Sequence, residues 1–537
     1  MRRVSRRDFL ATGGAALGAL PLVGHAQGLA PSAPANPVFK HGVASGDPMT
    51  DRVILWTRVT PRAAGTGPVT VSWSIARDPN FARVVARGET ETGAARDFTV
   101  KLDVPGLDAA TTYYYRFQAF GERSPIGRTK TTAASGLARM RVAVVTCSNL
   151  PFGFFNVYNR VAARADLDAV LHLGDYIYEY ANNNYGNRPE GDGTALGRIP
   201  RPNKEIVTLE DYRTRYAQYR EDPDCQEVHR QHPFIVIWDD HEFANNTWSG
   251  GAENHNPADG DWPARKAASA RAFSEWLPIR DSVGDRQLRI YRTIRFGGLA
   301  DLMMLDTRIT GRDEQPAARD VAAENDARRT MMGRAQEEWL FAEMHESKRA
   351  GTRWQILGQQ VMFAPQVPRD QFGSADTWEG YRATRDRVFD AVQSARLDNF
   401  VVLTGDAHTA WAYDLARDPF QGDGYDPATG RGAVGVEIVA PAVSSPNGLG
   451  EGAVRAERIA GIMKSRPHCR FLDGDRGYVV LDVAADRLQA DFWFVPTITT
   501  RTTQERFGKG LVSEAGRPHF TEAHSPSTGT KAPDPAP

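Results

Sequence analysis

Residues 169–180 read Ala169-Val-Leu-His-Leu-Gly-Asp-Tyr-Ile-Tyr-Glu-Tyr180, a short apolar run that stops abruptly at Gly174 and Asp175. An apolar run of this length with polar residues directly behind it is typical of a strand covered on both faces. In open α/β sheets, ligands bind outside the carboxyl ends of the strands. Several runs of this form in one sheet would bring their polar residues to the same edge, which predicts one polar site. Four further runs have the same form: 142–145 before Cys147, 234–238 before Asp239, 302–305 before Asp306, and 400–403 before Asp406.

The order of the predicted elements divides the chain into two folded regions. Residues 37–130 contain short alternating runs separated by Gly, Pro and Asp, which is typical of an all-β domain. Residues 139–510 alternate apolar runs with helical stretches, which predicts an α/β domain. The stretch 107–117 resembles the tyrosine corner of a fibronectin-like sandwich, although an ordinary strand with three tyrosines is the alternative. Residues 525–537 are polar, and we expect them to be disordered.

The first residues resemble an export signal. Ser5-Arg-Arg-Asp-Phe-Leu10 precedes an Ala- and Gly-rich stretch at 11–23, and Gly24-His-Ala26 offers small residues where a signal peptidase cuts. This arrangement is similar to a twin-arginine signal, which carries folded proteins across the bacterial inner membrane. A transmembrane anchor fits poorly, because the run is shorter than the roughly 20 residues that a bilayer span needs. We expect residues 1–26 to be removed, and the protein to be periplasmic or secreted.

The composition indicates a globular protein with no nucleic acid as an obligate partner. The 537 residues are 41% hydrophobic and carry a formal net charge of −1 at pH 7, with Lys and Arg scattered. A nucleic-acid-binding domain would show a basic stretch with interleaved aromatic residues. The three cysteines, Cys147, Cys225 and Cys469, cannot all pair within one chain, so at least one is left over.

Two of the strand ends supply candidate metal ligands of clear geometry. Asp175 can bridge two cations with its two carboxylate oxygens, as in two-metal phosphoesterases. Tyr178 lies on the same face if the chain begins a helical turn there, although a tyrosine at this spacing usually packs instead. Asp406 and His408 are two residues apart at a strand end, so both side chains point to one side. The alternative for this pair is a strand-terminating turn with an exposed histidine.

Residues 238–246, Trp-Asp-Asp-His-Glu-Phe-Ala-Asn-Asn, form the densest cluster of candidate functional residues. Their carboxylate and amide oxygens suit a hard cation, and we expect Asp240 or Asn245 to bind it. We assign catalytic roles to His241 and Asp239. His241 is placed to hydrogen-bond a phosphoryl oxygen or to protonate a leaving alkoxide. We expect Asp239 to contact the metal ligands rather than the metal itself. The alternative is that the acidic residues cap a following helix.

Cys147 completes the set of strand-end residues. A thiolate beside carboxylates and a phenolate is an unusual ligand mixture for zinc or magnesium, whereas iron accepts all of these ligands. The alternative is a buried and inert cysteine. Four clusters of ligand types at strand ends of one region favour the interpretation as a metal site.

Together these residues are similar to those of the alkaline phosphatase D (PhoD) family, which belongs to the calcineurin-like metallophosphoesterases. The resemblance extends over nearly the whole chain after the signal, and the combination is far more specific than any single motif. The matching motifs are Thr146-Cys-Ser148, His172-Leu-Gly-Asp-Tyr-Ile-Tyr-Glu-Tyr180, Trp238-Asp-Asp-His-Glu242 with Asn245-Asn246, Gly405-Asp-Ala-His408, His41-Gly-Val-Ala-Ser-Gly-Asp-Pro48 and Leu55-Trp-Thr-Arg58.

The resemblance implies an α/β fold, a metallophosphoesterase-type β-sheet sandwich flanked by helices, with an N-terminal all-β fibronectin-like domain. It also implies a ferric ion, Fe³⁺, and one or two Ca²⁺ ions near Asp175, Asn245 and Asp406, with Zn, Mn and Co less favoured. The implied iron ligands are Cys147, Asp175, Tyr178 and His408.

The activity implied by the resemblance is hydrolysis of phosphate monoesters and diesters by a metal-activated hydroxide, without a serine nucleophile. We therefore expect an exported alkaline phosphatase and phosphodiesterase that acts as a monomer. Its expected partners are small-molecule, phospholipid or polymer phosphate esters and the twin-arginine export machinery. Two alternatives stay open: a phospholipase D-like phosphodiesterase, and an exported binding protein in which the metal cluster is structural.

Overall fold

A computed structural model of the chain describes residues 37–63, 65–186, 188–281 and 288–537. The predicted export signal at residues 1–26 lies outside these ranges. Within them, no helix combines the length and the apolar character that crossing a bilayer requires. The helices are α1 (Asn156–Ala162), α2 (Leu209–Glu221), α3 (Pro223–Gln231), α4 (Trp262–Trp276), α5 (Val321–Glu324), α6 (Gly333–Arg349), α7 (Arg382–Ser394) and α8 (Gly452–Ser465).

The strands outnumber the helices and belong to three sheets. In chain order they are β1 (Val43–Gly46), β2 (Arg52–Arg58), β3 (Val69–Ala76), β4 (Val84–Thr92), β5 (Thr99–Pro105), β6 (Thr112–Ala119), β7 (Glu122–Arg123), β8 (Gly127–Lys130), β9 (Arg139–Val145), β10 (Ala169–Leu173), β11 (Pro233–Ile237), β12 (Arg292–Phe296), β13 (Ala300–Met304), β14 (Trp354–Gln359), β15 (Phe400–Thr404), β16 (Ala410–Ala416), β17 (Ala433–Val439), β18 (Cys469–Asp473), β19 (Gly477–Ala484), β20 (Arg487–Phe494), β21 (Arg506–Glu514) and β22 (Phe520–Ala523).

The largest sheet has ten strands in the order β22-β21-β20-β19-β9-β10-β11-β1-β2-β5. Its central strands β9, β10 and β11 run parallel to one another, and every residue of β10 and β11 is buried. Parallel strands that are covered on both faces need no polar alternation, which explains their unbroken apolar runs. The second sheet has seven strands in the order β12-β13-β14-β15-β17-β16-β18, and β13, β14, β15 and β17 are parallel.

The two sheets pack face to face, with helices on the outside. One apolar core contains Leu173 of the ten-stranded sheet, Ile356 and Leu403 of the seven-stranded sheet, and residues of α1, α2 and α4. The alternate residues Leu357 and Val402 point to the opposite face and pack with α6 and α7. This arrangement confirms the predicted α/β sandwich flanked by helices.

The N-terminal region is all-β, as predicted, and it shares a sheet with the α/β region. Strands β3, β4, β6, β7 and β8 form a five-stranded sheet, whose apolar face packs on β1, β2 and β5. Those three strands are also the end of the ten-stranded sheet, because Ser45 and Gly46 of β1 pair in parallel with Pro233 and Phe234 of β11. The boundaries 37–130 and 139–510 stay a prediction, since the sheet is continuous across them.

The tyrosine-corner motif has the geometry that the sequence predicts. The hydroxyl of Tyr113, at the start of β6, accepts a hydrogen bond of 2.8 Å from the backbone N–H of Asp108. This bond ties the strand to the corner that precedes it.

Residues 525–537, which their composition predicts to be disordered, have contacts along the junction of the two regions. The Tyr114 hydroxyl donates to the carbonyl of Asp534 at 2.6 Å, and the Arg139 guanidinium donates to that of Thr528 at 2.5 Å. Gln231 exchanges two hydrogen bonds of 3.0 Å with the backbone of Ala536. Segment 525–537 therefore contacts both regions through its backbone, which composition cannot predict.

Candidate metal centre

The carboxyl ends of β9, β10 and β11 meet those of β13 and β15 from the second sheet. Four residues at this meeting point have left-handed backbone: φ is 60° at Cys147, 55° at Asp175, 58° at Asp406 and 56° at His408. Such a conformation strains a non-glycine residue by about 1–3 kcal/mol, and it persists only where the surrounding structure imposes it. The backbone thus turns sharply just beyond the end of each of these strands.

Gly174 lets the ends of β10 and β11 approach closely. Its φ is 97°, and a Cβ atom at this position would lie 2.3 Å from the Cβ of Asp239. The buried carboxylate of Glu242 fastens the same two ends, because it accepts backbone N–H bonds from Asp175, Tyr176 and Asp239 at 3.1, 2.5 and 2.7 Å. Burial and the charge of Asp175 raise the pKa of Glu242 to about 8. Glu242 therefore shapes the centre through the backbone.

The first group of ligand atoms comes from Cys147, Asp175 and His408, which lie within 4.8 Å of one another. The Tyr178 hydroxyl donates to Asp175 Oδ2 at 2.8 Å and lies 3.1 Å from His408 Nε2. His408 Nδ1 lies 2.7 Å from the carbonyl oxygen of Pro446, to which it must donate, so the lone pair of Nε2 faces the group. The structure thus brings together the four residues predicted to hold iron.

The electrostatics of this group fit a bound cation. Burial raises the pKa of Cys147 and of Tyr178 well above the ordinary values, and the negative charge of Asp175 raises both further. Asp175 Oδ1 and Asp239 Oδ2 are buried carboxylate oxygens without a hydrogen-bond partner among the described residues. A buried oxygen of this kind is costly unless something satisfies it, and a cation would do so. Thiolate, carboxylate, phenolate and imidazole together suit iron.

Two further groups adjoin the first. One combines Asp175, Asp240 and His241, and the other combines Asp239, Asp240 and Asp406, each within 4.8 Å. The first of these groups offers two carboxylates and the second offers three. A hard cation such as calcium prefers several oxygen ligands of this kind. Asp175 belongs to two of the three groups, which is the arrangement expected of a bridging carboxylate.

Asn245, the remaining predicted ligand, has other partners. Its side-chain amide donates to Glu253 Oε2 at 3.0 Å, and its backbone N–H donates to Glu179 Oε1 at 2.7 Å. The neighbouring Asn246 N–H donates to Asp240 Oδ2 at 2.7 Å. The structure thus uses the backbone of this segment to orient acidic side chains, and a ligand role for Asn245 stays a prediction.

His241 lies against the first group and is oriented by a carboxylate that the sequence did not single out. Its Nδ1 lies 2.8 Å from Glu179 Oε2, and its ring lies 4.2 Å from the ring of Tyr178. Burial lowers the pKa of His241, but the charges of Asp240, Glu179 and Asp175 outweigh burial and hold that pKa well above its usual value. Glu179 directly follows Tyr178 in the motif at 172–180, so the sequence already offered it as a candidate site residue.

Arg308 is the main functional residue that the sequence reasoning missed. Its side chain is fully buried, and its Nη2 donates to Asp406 Oδ1 at 3.0 Å while its Nε donates to Asp239. Its Nη1 donates to both oxygens of Asp376 at 2.8 and 2.7 Å. The apolar run 302–305, which is followed by Asp306, was the feature of the sequence that pointed to this loop. The carboxylate of Asp306 accepts a hydrogen bond of 3.0 Å from the backbone N–H of Arg308 and so fixes the loop.

The guanidinium of Arg308 sets the charge of the acidic group. Burial raises the pKa of Asp406 to about 7, against the opposing effect of Arg308. Burial would also raise the pKa of Asp240, but Arg308 and His241 outweigh it and hold that pKa below its ordinary range. Asp240 is therefore ionised and available to a cation at neutral pH.

Comparison with known proteins shows the family to which the chain belongs. Residues 142–492 match the PhoD-like phosphatase family, and residues 25–133 match the N-terminal domain of PhoD-like phosphatases. Alkaline phosphatase D of Bacillus subtilis (strain 168) is 35% identical over 481 residues, which cover 86% of this chain and 78% of that protein. A solved structure titled as that of PhoD is 32% identical with a TM-score of 0.80, covering 93% of this chain and 94% of the other. The chain therefore belongs to the PhoD-like phosphatase family.

Proposed function

We propose that this protein is an exported, metal-dependent hydrolase of phosphate monoesters and diesters. Membership of the family supports hydrolysis of phosphate esters in general. The observation that carries the metal dependence is the sharing of Asp175 between the group that contains Cys147 and the group that contains Asp240 and His241. The twin-arginine-like sequence at residues 1–26 supports export to the periplasm or beyond.

The donor sets support iron and calcium as the metals. Cys147, Asp175, Tyr178 and His408 would hold Fe³⁺, and Asp240 and Asp406 would hold Ca²⁺ beside the shared carboxylate. When bound, the cations would supply Lewis acidity that polarises the phosphoryl group and activates water. Asn245 would have to turn its amide away from Glu253 to join them.

The chain's own residues supply orientation and a proton. Glu179 fixes the ring of His241, and the protonated ring can donate its proton to the leaving oxygen of the ester. Arg308 holds Asp239 and Asp406 at the edge of the site. This fixed arrangement means that the charged groups need little rearrangement when the phosphoryl group enters.

Replacement of Asp175 by Asn tests the proposal, with Asp414→Asn as the matched control. Asp414 is a fully buried carboxylate whose partners are Tyr425, His519 and the backbone of Phe520. We expect Asp175→Asn to lose both metals and to lower kcat/KM more than roughly 100-fold, because even residues that only orient ligands contribute 10- to 100-fold. The control should keep its metal content and its rate.

Two measurements on one preparation decide between the proposed function and its alternatives. They are elemental analysis and the hydrolysis rates of bis(p-nitrophenyl) phosphate and p-nitrophenyl phosphate. A wild-type enzyme that is free of metals and fully active would refute the metal assignment. A strong excess of the diester rate would favour the phospholipase D-like alternative. A chain that unfolds on chelation, and shows no hydrolysis beforehand, would be a binding protein instead.

A further inference from the structure

Tyr185 lies on the loop that follows the β10 motif, and its ring is packed among other rings of the centre. The ring centroid lies 6.0 Å from that of Tyr178, 6.2 Å from that of His241 and 5.4 Å from that of Tyr180. On its far side Phe152 contacts it edge-on at 5.3 Å. Tyr185 therefore adjoins both a predicted iron ligand and the predicted proton donor.

The backbone of the loop holds Tyr185 in this position. The N–H of Tyr185 donates to the carbonyl of Glu190 at 3.3 Å, and the N–H of Asn183 donates to that of Gly191 at 3.2 Å. Gly191 is required by the packing, because a Cβ atom there would lie 2.6 Å from the Phe152 ring. These two backbone hydrogen bonds make Tyr185 a fixed part of the wall of the site.

The hydroxyl of Tyr185 differs from those of its neighbours in its hydrogen bonding. The Tyr178 hydroxyl donates to Asp175, and the Tyr180 hydroxyl accepts from Asn254 at 3.0 Å. Among the described residues, no hydrogen bond reaches the Tyr185 hydroxyl. The hydroxyl of this ring, which packs against Tyr178 and His241, is therefore free to donate a hydrogen bond to a bound ligand.

We propose that Tyr185 is a catalytic residue whose hydroxyl donates a hydrogen bond to a non-bridging phosphoryl oxygen of the bound ester. This inference rests on the proposed function, because it places the phosphoryl group between the metal ligands and His241. A phenol O–H group that is held rigid is a suitable donor, since the phosphoryl oxygens gain negative charge in the transition state. No residue among the described ones competes for this donor.

Tyr185→Phe tests the inference because it removes the hydroxyl and keeps the ring. We expect unchanged metal content and an unchanged thermal midpoint. The value of kcat/KM should fall roughly 10- to 100-fold, which is the range for a hydrogen bond to a charged group. The loss should be equal for aryl and alkyl esters, since the contact is to the phosphoryl group. Tyr291→Phe, at a half-buried tyrosine that packs on Trp339, is the control and should behave as wild type.

Binding of inorganic phosphate, measured by calorimetry and by competitive inhibition, gives a second readout. We expect it to weaken in Tyr185→Phe and to stay unchanged in Tyr291→Phe. A variant that binds phosphate and turns over like wild type would overturn the inference, and so would a variant that loses metal. Tyr185→Ala serves as a further check. If Tyr185→Ala lowers kcat/KM and phosphate affinity while Tyr185→Phe changes neither, the ring acts only in packing and the proposed hydrogen bond is overturned.

The two proposals fail in different ways. If the wild-type chain holds no metal and hydrolyses no ester, the proposed function is wrong. The contribution of Tyr185 is instead read from the ratio between variant and wild type in phosphate affinity. Equal affinity in an active, metal-loaded enzyme would leave the proposed function intact and remove Tyr185 from it.

Discussion

Arg308 brings a permanent positive charge into a site that is otherwise rich in carboxylates. Its guanidinium contacts Asp239, Asp376 and Asp406 from a fully buried position, and Arg312 also pairs with Asp376 at 2.7 Å. Removal of one partner from a buried ion pair commonly costs about 3–5 kcal/mol, because the other charge is left uncompensated. The planar fork of an arginine can serve several carboxylates at once, which a lysine cannot.

His241→Ala tests whether this histidine acts as a proton donor. We expect full metal content, because Asp175 and Asp240 of the same group still offer carboxylate ligands, and a fall in kcat of roughly 10²–10⁴, as is typical of general acid catalysis. The loss should be larger for alkyl esters than for nitrophenyl esters, since a poor leaving group needs its proton most. His345→Ala, at an exposed site on α6, is the control. Loss of metal in His241→Ala would make this residue a ligand instead.

At the scale of elements, the sequence predicts the strands that carry the site and misses elements with little apolar pattern. The run 169–173 coincides with β10, and the runs 142–145 and 400–403 lie inside β9 and β15. These strands are covered on both faces, so their apolar runs are unbroken. By contrast α3 reads Pro-Asp-Cys-Gln-Glu-Val-His-Arg-Gln, and it forms because Asp222 caps its first turn and Pro223 fits the first helical position.

The candidate site follows the same division. Cys147, Asp175 and Asp406 each lie two residues beyond the end of a strand, so their convergence on one edge of the sheets could be predicted from the strand ends alone. Asp376 lies in the irregular stretch between β14 and α7, and only the tertiary path of that stretch brings it to Arg308. Glu179 is adjacent to a predicted ligand, but its role depends on a distant partner, His241. Spacing along one strand end carries no information about such pairs.

Gly174→Ala tests the close approach of β10 and β11. The left-handed backbone strains an alanine by about 1–2 kcal/mol, and overpacking against Asp239 adds about 1–3 kcal/mol. We therefore expect a clearly lower thermal midpoint and weaker metal binding. The matched control is Gly461→Ala on α8, where a Cβ atom would meet nothing within 4 Å. That change should raise stability by up to about 1 kcal/mol. An unaffected Gly174→Ala would contradict the close approach.

At the scale of the whole molecule, several buried histidines make the fold sensitive to acid. Burial lowers the pKa of His41 to about 4 and the pKa values of His172, His232 and His468 to about 3. In the unfolded chain these groups titrate near pH 6.5. Between that value and pH 3–4 the unfolded chain binds more protons than the folded one. The contribution of these four histidines to stability is therefore complete above about pH 6.5 and falls as the pH decreases below it.

Thermal midpoints of the chelated protein between pH 7.5 and pH 4 measure this effect. We expect His468→Gln to lower the midpoint at pH 7.5 modestly, because the histidine Nε2 bonds the Pro365 carbonyl at 2.8 Å. The same variant should lose less stability on acidification than wild type. His345→Gln, at an exposed position, should keep the wild-type slope. An acid slope of His468→Gln equal to that of wild type would be incompatible with a buried neutral His468.

The pairing of β1 with β11 has a consequence for the order of events after synthesis. The two strands are about 190 residues apart in the chain, yet they are direct neighbours in the ten-stranded sheet. At about 5–20 residues per second, β1 leaves the ribosome roughly 10–40 s before its partner exists. Contacts of such long range slow folding, because the intervening chain must be closed first. Asp239 and Asp240 lie just beyond β11, so they reach the centre with this late closure, and the ligands Asp406 and His408 are synthesised later still. A new chain therefore cannot complete its metal centre until most of its length has been made.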